Sequence, residues 1–368
     1  MRRFVTALIA TAALTSLGMP ASAADGVKIG VAAPLTGALA KMGADIRNGA
    51  DLAVQEINAR GGIKGQKVSL IIGDDKGDPR EGITVANKLV QTGVLGVVGH
   101  LNSGISIPAS KEVYSPAKVT MITPASTNPE LTERGLKNVF RTIGRDDQQG
   151  KDAADYALKA GYKIAVVLHN KNAYGQGLAD VFKKNYENGG GKVLMFDGIQ
   201  TGDKDFTPVL TRVKAQKPDL VFFGGEYQDG GLLVAQARKI GLKAPLMGGD
   251  GLFDSLFIKL AGKKAAEGSI VTFPPFDKAG AFAKTYKGKY GAEPGAYSGY
   301  SYDAAKVLLD AIAKAPKADR VSVMAQVGKT RSFKGVTGTI TFNGKGDQPG
   351  FKFGVWRVQG GDFQLVTK

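Results

Sequence analysis

From Val27 to Asp250 the chain keeps changing hydrophobic period, from short continuous apolar runs to segments that repeat every three or four residues, and back. Strands that alternate with helices in this way demand a parallel sheet covered by helices on both faces. No other feature narrows the fold as much. The first alternation gives strands VKIGVAAP (27–34), VSLIIGDD (68–75), VLGVVGH (94–100) and VTMITPA (119–125). Between them lie a helix over Ala44 to Asn58, with Ala50, Ala53, Val54 and Ile57 on one face, a helix opened by Asp78-Pro79, and one starting near Ser106. Gly61-Gly62 stops the first of these helices.

A second alternation begins near Asp147. It runs through a helix at 147–160, strand KIAVVLH (163–169), a helix from Tyr174 to Tyr186 and strand KVLMFDGI (192–199). A helix at 206–215, strand DLVFFGGE (219–226), a helix at 230–240 and strand APLMGGD (244–250) complete it. The glycine-rich NGGGK (188–192) reads as a helix stop. Beyond Gly268 the rhythm loosens into helices near 279–290 and 299–314 and a β-rich end from Gly335 to Val366. With 368 residues the chain suits two domains, so it reads as two similar α/β halves and a tail shared by one or both. Ligands of open α/β sheets sit beyond the carboxyl ends of the strands, and two facing sheets leave a cleft between them.

The first 23 residues carry a cleaved signal peptide: Arg2 and Arg3, an apolar run from Phe4 to Leu17, then Ala21-Ser22-Ala23. Loss of the two arginines lowers the formal charge from +16 to +14. No later stretch approaches the roughly 18 apolar residues of a membrane span. The sequence contains 0 cysteines, which excludes a thioether lipid anchor, thiol catalysis and cysteine metal sites. In a cell with an outer membrane the mature chain is then free in the periplasm. Its Lys and Arg are spread along the sequence without interleaved aromatics, which argues against a nucleic-acid partner and for a solvated surface.

Two strand ends stand out. VVGHLNSGISIPAS (97–110) and MITPASTNPEL (121–131) both run from buried apolar residues into hydroxyls, amides and bare backbone without charge. Ser103 and a following helix start favour an anion, while Thr127 offers a hydroxyl and Ala125 a carbonyl. In the second half, Asp250 and Glu226 end strands with a carboxylate, and Tyr174 opens a helix after another strand. Taken singly, each of these is equally a helix cap, a turn residue or, for Tyr174, a core residue. Enzyme signatures are missing: His100 and His169 have no metal-ligand spacing, and there is no G-x-S-x-G, P-loop or dinucleotide fingerprint.

These segments resemble the periplasmic amino-acid-binding proteins of the leucine/isoleucine/valine type, the capture components of ABC importers. The resemblance rests on KIGVAAPLTG (28–37), INARGGIKGQKV (57–68), DDKGDP (74–79), VVGHLNS (97–103), MITPASTNPELT (121–132), YGQGLA (174–179), FFGG (222–225) and KGDQPGF (345–351). It implies a type I periplasmic-binding-protein fold, with two parallel-sheet lobes joined by three crossovers. The lobes would be 24–143 with 273–350, and 144–272 with a crossover and lobe end at 351–368. It implies that Ser103 and Thr127 bind an α-carboxylate, and that the Ala125 carbonyl, Thr127 and Asp250 hold an α-ammonium. Tyr174, Tyr297 and Met42 would wall the side-chain pocket, with Met42 replacing an aromatic residue of the leucine-binding relatives. Asn102 and Gly77 stand where those relatives carry a disulfide pair, and Glu226 where they carry a tyrosine. Asn102, Ser126 and Glu226 would therefore make the pocket more polar than leucine needs. Glu226 must face solvent, be protonated, or meet a polar or cationic ligand group.

The expectation is thus a monomer without cofactor, metal or catalysis that captures a branched-chain or other neutral or polar amino acid. Its other partner would be a membrane permease. The alternatives are the same fold binding an amide, short peptide or aromatic acid, and a periplasmic sensor component.

Overall fold

The computed structural model describes residues 26–275 and 280–367, so the signal-peptide segment lies outside the described residues. Strand β1 (Val27–Ala33) leads into helix α1 (Ala40–Ala59), then β2 (Val68–Asp74), α2 (Pro79–Gln91), β3 (Gly96–Gly99) and α3 (Ser103–Ala109). After a π-helical turn follow β4 (Thr120–Thr123), α4 (Glu130–Glu133) and β5 (Val139–Arg141). These strands form one parallel five-stranded sheet in the order β2-β1-β3-β4-β5, with Val97 opposite Gly30 and Met121.

The second unit runs through α5 (Asp146–Lys159), β6 (Ile164–His169), α6 (Ala173–Asn188), β7 (Lys192–Gly198), α7 (Thr207–Ala215) and β8 (Leu220–Gly224). It continues with α8 (Tyr227–Lys239), β9 (Leu246–Gly248), α9 (Ser255–Ala261), α10 (Lys263–Ala266) and β10 (Ile270–Phe273). Helices α11 (Ala281–Tyr290), α12 (Ser298–Lys314) and α13 (Arg320–Val327) then return to the first unit, where α12 and α13 pack on β3 and β4. A hairpin of β11 (Phe333–Lys334) and β12 (Thr339–Ile340) precedes β13 (Gly354–Gln359) and β14 (Asp362–Thr367). The last two strands complete a seven-stranded sheet in the order β14-β13-β10-β9-β8-β6-β7. The chain thus passes between the sheets three times: after β5, after β10 and before β13. This is the type I periplasmic-binding-protein fold.

Two expectations need correction. The second sheet is not wholly parallel: β13 runs antiparallel to both β10 and β14. The tight turn at Gly360-Gly361, both at positive φ, joins β13 to β14 as a hairpin. The helices also start earlier than their apolar spacing suggests. Helix α1 begins at Ala40 because Gly43 lets it lie against the Pro34 carbonyl, where a Cβ would collide. Helix α3 begins at Ser103, not near Ser106, which puts the Ser103 hydroxyl in the first turn at the strand mouth.

Candidate functional site

The carboxyl ends of β3 and β4 face those of β6, β8 and β9 across a cleft. Between them lies a cavity of about 20 Å³ lined by Met42, Leu101, Asn102, Ser103, Ala125, Tyr174, Glu226, Asp250, Gly251 and Tyr297. That is below the roughly 300–1,000 Å³ of common small-molecule sites. With the lobes this close together it has room for about one water molecule.

On the five-stranded side, Ser103 accepts the Asn128 N–H at 3.2 Å, so its own hydroxyl proton remains available to an acceptor. The buried Thr127 hydroxyl lies beside the Asp146 carboxyl, with no other partner, and is not among the residues that line the cavity. The Ser103 hydroxyl, on the cavity wall, is thereby a prepared donor for an anion. Ser126 behaves differently. Its hydroxyl meets that of Ser106 at 2.7 Å and donates to the Leu101 carbonyl at 2.9 Å. It knits the two strand ends together instead of lining the cavity, so the expectation of Ser126 as a polar pocket residue is corrected.

On the seven-stranded side, Asp250 opens a single 3₁₀ turn after β9 and is gripped by two tyrosines. Tyr174 donates to one carboxylate oxygen at 3.0 Å and accepts the Gly251 N–H at 2.9 Å, while Tyr297 donates to the other oxygen at 2.7 Å. Two bonds leave about half of the carboxylate's lone pairs free for a further donor. Burial raises the Asp250 carboxyl above its ordinary range against those bonds, which favours a cation beside it. Tyr297, from the five-stranded side, reaches Asp250 across the cleft. Tyr174 is therefore more than an apolar wall.

Glu226 does not face solvent. It sits at the start of α8, buried, with carboxylate oxygens that accept from Asn102 at 3.0 Å, Asn172 at 3.1 Å and Asn170. Burial, then the Asp229 charge, pushes its carboxyl up to about 7. Asn102 lies on the opposite side of the cleft, so this is a closing contact. Tyr227 donates to the Ala38 carbonyl at 2.7 Å and Asn128 to the Ala173 carbonyl at 2.7 Å, and both also bridge the cleft. Asn102 further faces Gly77, its Oδ1 4.0 Å from where a Cβ on that glycine would stand.

Sequence reasoning missed Asn170, Asn172 and Asp146. Asn172 reads as a plain N-cap, and it does cap Gly175 through Oδ1 at 2.7 Å, while its amide serves Glu226. Asp146 reads as a first-turn helix acid. It is instead fully buried, and burial together with the Asp250 charge holds its carboxyl well above the ordinary range. The histidines are structural: His100 bridges Asp75 at 2.7 Å and Tyr114 at 3.1 Å inside the core, and His169 accepts the Lys171 N–H. Among the described residues no cluster of three or more metal-ligating side chains occurs.

A family model described as periplasmic binding protein matches residues 26–362. A Leu/Ile/Val-binding protein homolog of Brucella abortus is 41% identical over 97% of this chain and 96% of its own length. A leucine binding protein of Thermotoga maritima superposes with a TM-score of 0.86 at 32% identity, covering 93% of this chain and 98% of that one. A branched-chain amino acid transporter substrate binding protein of Streptococcus pneumoniae, solved with isoleucine, gives a TM-score of 0.86 at 30% identity, covering 94% and 100%.

Proposed function

Since the chain belongs to the periplasmic binding protein family, we propose that it captures an amino acid between its lobes and delivers it to an ABC permease. The observation that carries this reading is the juxtaposition of the Ser103 hydroxyl and Ala125 on one wall of the cavity with a tyrosine-held acid on the other. Ser103 and Thr127 take the α-carboxylate, and Asp250 with the Ala125 carbonyl takes the α-ammonium. Tyr174 and Tyr297 orient the acid, and Met42, Asn102 and Glu226 surround the side chain. The lobes are 24–143 with 273–350, and 144–272 with 351–368; the protein is an exported, periplasmic monomer with a binding role rather than a catalytic one.

The ligand docks first on Ser103 and Thr127, and the second lobe then swings onto it. Only contacts made in the closed state can drive that swing. Micromolar binding needs about 8 kcal/mol. A few charge-assisted bonds of roughly 1.5–3 kcal/mol each, with apolar burial, supply it. Calorimetry of the mature protein against the L-amino acids tests the reading. At least one is expected to bind at micromolar concentration or below, and no heat from any of them would refute it.

Two further outcomes are expected. Tyr227→Phe deletes the bond to the Ala38 carbonyl that exists only when the lobes meet. A neutral hydrogen bond contributes about 0.5–1.5 kcal/mol. Titration should therefore show a several-fold weaker affinity, from faster release, with unchanged thermal unfolding of the ligand-free protein. The second outcome concerns pH. Closure raises the Glu226 carboxyl from its ordinary range to about 7, so the closed form is favoured while that group is protonated and is disfavoured as pH rises through about 7. Small-angle scattering of ligand-free protein should give a smaller radius of gyration at pH 5 than at pH 8. Glu226→Gln should shrink that difference.

A further inference from the structure

We infer that Glu226 is the specificity-determining residue of the cleft and that the bound amino acid carries a hydrogen-bond donor at the end of its side chain. This rests on the amino-acid reading above and narrows it. Three asparagines, Asn102, Asn170 and Asn172, turn their amide nitrogens toward the Glu226 carboxylate, and their four hydrogen bonds, two to each oxygen, fill its acceptor sites. What remains there is the carboxylate's charge, which no cation answers, and a free acceptor, the Asn102 Oδ1, buried without a partner. No Lys, Arg or His among the described residues pairs with Glu226, and the charge nearest to it is that of Asp229, of the same sign.

Asp250, at the other end of the same cavity, is likewise without a cation and is answered by the ligand's ammonium in the reading above. A branched alkyl side chain would leave the Glu226 end facing apolar carbon, its charge and its acceptor both unanswered. A hydroxyl, amide or ammonium answers the acceptor, and an ammonium or guanidinium also answers the charge. Met42 and Leu101 supply apolar surface for the methylene stem between the two ends.

Calorimetry at neutral pH with L-leucine, L-glutamine and L-lysine tests this on the parent protein, Glu226→Gln and Glu226→Leu. The parent should bind glutamine or lysine at least tenfold more tightly than leucine. Glu226→Leu should lower that preference at least tenfold, and circular dichroism and thermal unfolding report whether it is folded. Glu226→Gln keeps size and removes the charge while turning one of the two accepting oxygens into a donor; a tenfold loss confined to lysine assigns the partner as a cationic side chain, and retention of glutamine with little lysine binding in the parent assigns it as a neutral one. Leucine binding as tightly as either, or a ranking indifferent to both substitutions, overturns the inference while leaving the amino-acid reading standing. Absence of binding by every amino acid would instead strike that reading first.

Discussion

Asp250→Ala is expected to weaken amino-acid binding at least a hundredfold while the protein still unfolds cooperatively. Asp250 is 1% exposed, so an ammonium bonded to it is removed from water and depends on that charge. Removing one partner of a buried, hydrogen-bonded charge pair costs about 2–5 kcal/mol, and each 1.4 kcal/mol is about tenfold in affinity. The fold loses less, because the two tyrosine hydroxyls at 3.0 and 2.7 Å sit at a cavity that water can enter once the carboxylate is gone. Asp250→Asn separates charge from shape: it can still accept from a tyrosine but cannot neutralise an ammonium. Both variants should therefore fail in titration calorimetry, with Asp250→Asn the closer of the two to the parent in thermal unfolding. Unchanged affinity in Asp250→Ala would remove the acid from the site.

Asp347→Ala should destabilise the protein by about 3–5 kcal/mol, the usual result of stripping the counter-ion from a buried charge. Arg141 is fully buried at the end of β5, with Nε 2.7 Å from Asp347. Its remaining donors go to the Ser126 and Asn128 carbonyls at 2.9 and 3.2 Å and to the Thr132 hydroxyl at 2.8 Å. Arg145 reaches the other oxygen of Asp347 at 2.8 Å. Asp347 thus ties the last passage between the lobes to the loop that holds Thr127. Urea unfolding should show the loss, and ligand affinity should fall with it as that loop loosens. The pair Arg141→Met with Asp347→Leu should recover part of the stability, since it leaves no unpaired charge inside. A loss below about 1 kcal/mol in Asp347→Ala would show that the arginine finds other compensation.

Much of this molecule is written in local patterns. The change of hydrophobic period marks β1 to β4 and β6 to β9 because it depends only on neighbours along the chain, while β5 and β10, of three and four residues, are not marked by it. Ser103 and Asp250 are legible as cavity residues because chain direction already fixes which ends of a parallel sheet open on the cleft. What is not legible depends on side-chain direction and on distant partners. Ser126 and Thr127 are adjacent and chemically alike, yet one hydroxyl turns into its own lobe and the other lies beside Asp146. Nothing in T-P-A-S-T distinguishes them. Glu226 acquires its surroundings from Asn102, 124 positions earlier, and from Asn170 and Asn172 after a different strand. The same holds for the end of the chain. Its short strands carry weak periodicity, and only tertiary pairing decides that β13 enters the second sheet between β10 and β14.

The triple passage between the sheets has a consequence for how the molecule can be taken apart. A fragment ending near residue 143 would contain every strand of the first sheet but not α12 and α13, leaving the faces of β3 and β4 bare. A fragment covering the second alternation alone would lack β13 and β14, so β10 would become an open edge, ready to pair with another copy. Neither half is an autonomous module, and shuffling one lobe between relatives means exchanging several separate stretches of sequence at once.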